Sequence, residues 1–109
     1  MRFYDMDGRE LDLHAGAELL GNIAKRRVAL TDYDGRAEVS TVLLVMDHNW
    51  SGVGAPLIFE TMTFVDGTGR MWGRSPTRAA ALSMHDQACA DVRETLARFD
   101  AELVELGAG

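Results

Sequence analysis

Five polar side chains stand where an apolar core or a plain turn would be expected, and their types are those that hold cations or move protons. Asp47, His48 and Asn49 follow directly on the most apolar run of the chain, residues 42–46. Polar residues at a strand end, ahead of a loop, are well placed for a site, because loops on a rigid scaffold carry much of binding and catalysis. Trp50 opens that loop and joins them as a binding candidate. Glu60 stands between apolar neighbours, a costly place for a charge without a partner. His85 falls in an apolar helical seam, four residues before Cys89, the single cysteine. One shared pocket of Asp47, His48, Asn49, Glu60 and His85 would bind a divalent cation or act as acid and base. Asp47 and Glu60 would suit a hard cation such as magnesium, with water as the remaining ligands. The plainer reading is structural: Asp47 and Asn49 shape a turn, Glu60 pairs with an arginine, and a partly buried His85 is held by a hydrogen bond to the sheet.

Other motifs reduce to turn and core chemistry. Asp5-Met6-Asp7-Gly8 matches the D-x-D-G opening of haloacid-dehalogenase-type phosphatases, but the same pattern recurs at Asp32-Tyr33-Asp34-Gly35, where it serves a hairpin. Gly52-x-Gly54 precedes Pro56 and a strand, whereas a phosphate grip needs a helix N-terminus. His85 and Cys89 are spaced as half a zinc site, yet His14 and His48 are not at ligand spacing, and a structural zinc wants four ligands. No metal and no cofactor is therefore expected, and no residue is assigned as catalytic. Cys89 reads as a reduced thiol acting as a small core hydrophobe.

The elements that must position these residues read as an α+β fold. Residues 2–6 form a short strand candidate, closed by Asp7-Gly8. A short N-terminal helix is expected over residues 13–20, capped by Asp12 and stopped by Gly21-Asn22. Strands follow at 28–31, 37–46, 57–65 and 70–74, joined by short turns, so the sheet of three to five strands is mostly antiparallel. Alternation places Leu57, Phe59, Thr61 and Thr63 on one face and Ile58, Glu60, Met62 and Phe64 on the other. Ser75 as N-cap and Pro76 in the first turn open a long C-terminal helix. Its seam of Leu82, His85, Cys89, Val92, Leu96, Phe99, Leu103 and Leu106 alternates spacings of three and four, as a heptad does. A straight helix over 76–106 spans about 46 Å. Either it breaks near Ala101 and folds back, or its end packs on another chain. Val92, Leu96, Phe99, Leu103 and Leu106 are thus the interface candidates for a homodimer or higher homo-oligomer.

The chain of 109 residues, 47% hydrophobic and 26% charged, is the size of one domain, 1–109. Its formal charge of −6 argues against coating nucleic acid, since phosphate binding depends on cationic side chains. Lys25-Arg26-Arg27, the one basic run, reads as a solvated strand entrance. No apolar run is long enough for a membrane span, and no targeting segment is visible. A cytoplasmic protein is expected.

Three stretches together resemble a widespread family of small uncharacterised proteins of tailed phages and prophages. They are Val39-Ser40-Thr41-Val42 with Met46-Asp47-His48-Asn49-Trp50, then Pro56-Leu57-Ile58-Phe59-Glu60-Thr61-Met62-Thr63-Phe64, then Ser83-Met84-His85. Family members read roughly V-S-T-V-x-L-x-L-D-H-N-[FW], then P-[LI]-[ILV]-[FW]-E-T-M-[VI]-F, then a helix ending its motif in G-H. The resemblance spans residues 3–90. It departs at Trp72-Gly73-Arg74-Ser75-Pro76, where members carry R-Y-[SA]-T, and at Ser83-Met84. It implies a phage or prophage origin, action in the bacterial host cytoplasm, and interest in Asp47, His48, Asn49, Glu60 and His85. The expected function is a non-catalytic interaction module that engages a host protein or a small ligand. The alternatives are a small metal-dependent hydrolase or nucleotide-acting enzyme using the Asp/His/Glu set, and a structural component of the virion.

Overall fold

A computed structural model describes residues 2–107. The fold is α+β. Strands β1 (Phe3–Tyr4) and β2 (Glu10–Leu11) form a small antiparallel ribbon, followed by helices α1 (Leu13–Leu20) and α2 (Ile23–Arg26). Four antiparallel strands then lie side by side in chain order: β3 (Arg27–Asp32), β4 (Ala37–Leu43), β5 (Phe59–Val65) and β6 (Thr68–Ser75). Helix α3 (Arg78–Gly107) ends the chain and packs on that sheet.

Local chemistry explains the boundaries. The Asp5 carboxylate accepts from the amides of Asp7 and Arg9, each at 2.9 Å, and Gly8 turns at φ 78°. The first D-x-D-G motif is therefore a turn, and Asp32, accepting from the Gly35 amide at 3.2 Å, makes the second one likewise. Asp12 caps α1 by accepting from the Ala15 amide at 2.8 Å. Gly16 weakens α1, but the Phe3 ring lies where its Cβ would be, so the glycine permits β1 to pack on the helix.

The helix cap falls two residues later than the sequence suggests. Ser75 stays in the ladder opposite Phe59 and is buried, while Thr77 caps α3 through the Ala80 amide at 3.1 Å. The helix α2 also replaces the expected run into a strand. Arg26 is not a solvated charge there: it donates to the carbonyls of Leu20 and Leu43, tying the end of α1 to the end of β4.

Strand alternation points Ala37, Val39, Thr41 and Leu43 of β4, with Phe59, Thr61 and Thr63 of β5, toward α3, and all seven are buried. The other face is more open, with Leu30, Phe64 and Met71 exposed. The core has two apolar clusters. One gathers Phe3, Leu43, Val45, Ile58, Phe59 and Ala81 under the N-terminal ribbon; the other gathers Ala37, Val39, Ala88, Cys89 and Val92. His85 lies between them on α3.

The strand expected to run to residue 46 ends at Leu43. From Leu44 the chain changes partners: Tyr4 donates to the Val45 carbonyl at 2.8 Å, and Phe3 pairs with Met46. Val45 makes the change at φ 73°, rare for a β-branched side chain and worth about 1–3 kcal/mol of strain. Its full burial in the first cluster holds it there.

Helix α3 runs unbroken to Gly107, which removes the alternative of a break near Ala101. No Gly or Pro interrupts it, and Arg36 grips Asp100 with two bonds of 2.9 and 3.3 Å. Thirty residues make about 45 Å of helix over strands of roughly 25 Å, so the last turns leave the sheet behind. The molecule measures 61 × 28 × 20 Å, with a radius of gyration of 16.8 Å against about 13 Å for a compact chain of this length. The apolar seam accordingly divides. Val92 belongs to the core and cannot meet another chain, and Leu96 packs against the same cluster. Phe99, Leu103 and Leu106 are 42%, 64% and 85% exposed.

Candidate functional site

The five polar candidates do not share a pocket. They fall in three places. Glu60 lies on the face of β5 opposite the helix, beside Arg74 of the neighbouring strand. The Arg74 guanidinium donates to its carboxylate at 3.0 Å, and the Glu60 side chain is 17% exposed. This is the arginine pairing that its mid-strand position demands.

His85 lies on the other side of the sheet, 4% exposed. Its Nε2 is 2.9 Å from Thr31 Oγ1, its Nδ1 is 2.8 Å from Thr41 Oγ1, and Thr41 Oγ1 is 2.7 Å from Thr61 Oγ1. A neutral imidazole satisfies this chain, one nitrogen donating and the other accepting, because each hydroxyl can do either. The threonines escaped sequence reasoning. The signal was there in principle: Thr41 and Thr61 are cross-strand partners on a buried face, below a histidine in the helical seam.

Burial holds the His85 imidazole below the usual histidine range, with neighbouring Asp86 opposing the shift. The folded state thus resists a proton that the unfolded chain accepts from about pH 6.5 downward. Stability is full above that pH and falls as pH drops through it, until the folded imidazole also protonates. Urea midpoints measured at about pH 7.5 and about pH 5.5 should show this loss, and His85→Gln should flatten it whatever its own stability.

Asp47, His48, Asn49 and Trp50 do come together, with Arg2, Tyr4, Met46, Gly54 and Pro56, around a cleft of about 710 Å³. Their polar atoms build the loop. Asp47 Oδ1 accepts from the amides of Asn49 at 2.7 Å and Leu57 at 2.9 Å. The Asn49 side chain donates to the carbonyls of Val53 at 2.7 Å and Ala55 at 3.0 Å, and accepts from Ser51. His48 Nδ1 is 2.9 Å from the Met46 carbonyl, which can only accept, so Nδ1 carries the proton. The His48 and Trp50 rings sit 5.1 Å apart at 46°, and Trp50 is 77% exposed.

The loop is therefore a rigid support that displays an aromatic pair. Arg2 and Tyr4 were not foreseen as walls of this cleft, because the pairing of β1 with Met46 leaves no mark in either segment. No group of three or more His, Cys, Asp or Glu side chains is placed to hold a metal ion among the described residues. No helix among them is long and apolar enough to cross a membrane. No family model matches the chain, and neither does any curated protein or any solved structure.

Proposed function

We propose that this chain is a small phage-type accessory protein that works as a non-catalytic binding module in the host cytoplasm, assembled as a homodimer or higher homo-oligomer. The observation that carries the reading is the engagement of its chemistry-bearing side chains. His85 is satisfied inside the core, Glu60 is paired with Arg74, and Asp47 and Asn49 are bonded to their own loop. A hydrolytic site needs acid, base and substrate position in one cavity, and this set is divided across both faces of the sheet and a loop. What stands unengaged is surface: the Trp50 cleft and the apolar end of α3.

A second copy is the occupant that best fits the helix end. The seam keeps heptad spacing from the part packed on its own sheet into the part beyond it, and a two-fold axis would cover both seams at once. Large apolar side chains left in water forfeit about 1.5–3 kcal/mol each, and a row of them makes a patch that monomers rarely keep. Origin and compartment rest on the motif resemblance.

Affinity capture from an expressing bacterium tests the binding role. A single species is expected to be retained in stoichiometric amount by the native chain and lost from Trp50→Ala. Retention of nothing specific, or retention indifferent to Trp50, would refute it, as would turnover of phosphoester or nucleotide substrates.

A further inference from the structure

We infer that α3 pairs with α3 of a second copy in the antiparallel sense, the end of each helix seated against the hairpin tips of the other chain, and that the assembly closes at two. This rests on the homo-oligomer of the proposed function and gives it a partner, a direction and a size.

The shape of the uncovered surface sets the direction. The sheet ends at two hairpin tips, tied together where the Asp66 amide donates to the Arg36 carbonyl at 3.1 Å. Arg36, Val65 and Asp66 at those tips, with Phe99, Leu103 and Leu106 of α3, line an open hollow of about 360 Å³. The exposed seam is thus the face of α3 that the sheet covers further back, continued past the sheet's end. A partner helix on that seam takes up the layer that the sheet vacates. The dimensions agree, since packed helices lie about 8–10 Å apart and stacked sheets about 10 Å.

An antiparallel partner leaves over the tip of α3 and carries its own sheet away from this one. A parallel partner would run back into the hairpin tips. It would need both sheets between the two helices at Val92, about 30 Å of packed layers, and helices in contact at Leu103, about 16 Å further along. Helices splayed that widely touch over one turn and leave the rest of the seam in water. Full overlap of Phe99–Gly107 puts the two-fold axis near Leu103 and sets Phe99 of each chain beside the partner's Leu106. Each seam is used once, so nothing is left to extend the assembly beyond two.

Charge selects the same direction. The end of α3 carries Asp100, Glu102 and Glu105, and a helix C-terminus adds about half a negative charge. In a parallel pair these ends lie side by side and repel. In the antiparallel pair the last turn of each helix comes level with Asp100 of the other, beside Arg36. Arg36 uses two of its N–H donors on Asp100 and keeps others for the arriving C-terminal carbonyls.

Small-angle X-ray scattering of the native chain, with its mass, tests the inference. Two chains 61 Å long that overlap over Phe99–Gly107 make a particle about 110 Å long, whereas a parallel pair is close to the length of one chain. Spin labels on an exposed helix position, Ser83→Cys, check the direction, Cys89 being buried. The two labels are expected about 60 Å apart along the helix axes; a parallel pair sets them about 30 Å apart, across both sheets. Two copies in a markedly shorter particle, or labels well short of or well beyond 60 Å, would overturn the antiparallel pairing and leave the oligomer. Three or more copies would overturn its closure. A single chain at micromolar concentration would remove the oligomer itself.

Discussion

Replacing Thr41 by valine is expected to destabilise the fold by about 2–4 kcal/mol, although the two side chains have nearly the same shape. Thr41 is fully buried and is the middle of the chain Thr31–His85–Thr41–Thr61. Its loss leaves His85 Nδ1 and Thr61 Oγ1 without a partner in a place water does not reach, and each orphaned group costs about 1–3 kcal/mol. Thr61→Val removes only the end of the chain, so about 1 kcal/mol is expected, because Thr41 keeps its bond to His85. Equilibrium denaturation of the two variants side by side reads the difference. Equal midpoints would mean that the histidine is held by packing alone.

Phe99→Asp and Leu103→Asp are each expected to reduce the proposed homo-oligomer to single chains, weakening association by at least about a hundredfold. Both side chains are substantially exposed on the single chain, so the fold itself should tolerate the charge, and far-ultraviolet circular dichroism should be unchanged. A carboxylate placed on a seam between two copies would lose its water on association, a cost of several kcal/mol unless an opposite charge meets it. If these variants keep the native mass, the contact lies elsewhere, and the open sheet face with Leu30, Phe64 and Met71 is the next surface to mutate.

Much of this fold is legible in the sequence because its signals are local. Asp12 and Gly21 bracket a helix by cap chemistry, Asp32 and Gly35 make a hairpin turn, and alternation separates Glu60 from Phe59, Thr61 and Thr63. Glu60 needed an arginine and has one, and His85 needed a polar partner on the sheet and has two. The separation of Glu60 and His85 onto opposite faces was not legible, since it depends on which face of the sheet the helix covers. Val45 reads as ordinary strand, and only its position between β1 and β5 forces the left-handed turn that lifts Asp47 to Trp50 off the sheet. Ser75 reads as a cap, but burial opposite Phe59 keeps it in the ladder and passes the cap to Thr77. The seam of α3 is periodic throughout, and periodicity alone does not tell that the sheet stops covering it between Leu96 and Phe99.

The end of α3 leaves Phe99, Leu103, Val104 and Leu106 exposed within about two turns of helix. The most direct measurement is the mass of the native chain by multi-angle light scattering at micromolar concentration. A mass of two or more copies of the 12.0 kDa chain is expected. A mass of 12.0 kDa throughout would contradict the assembled module and leave Phe99, Leu103 and Leu106 exposed without a reason.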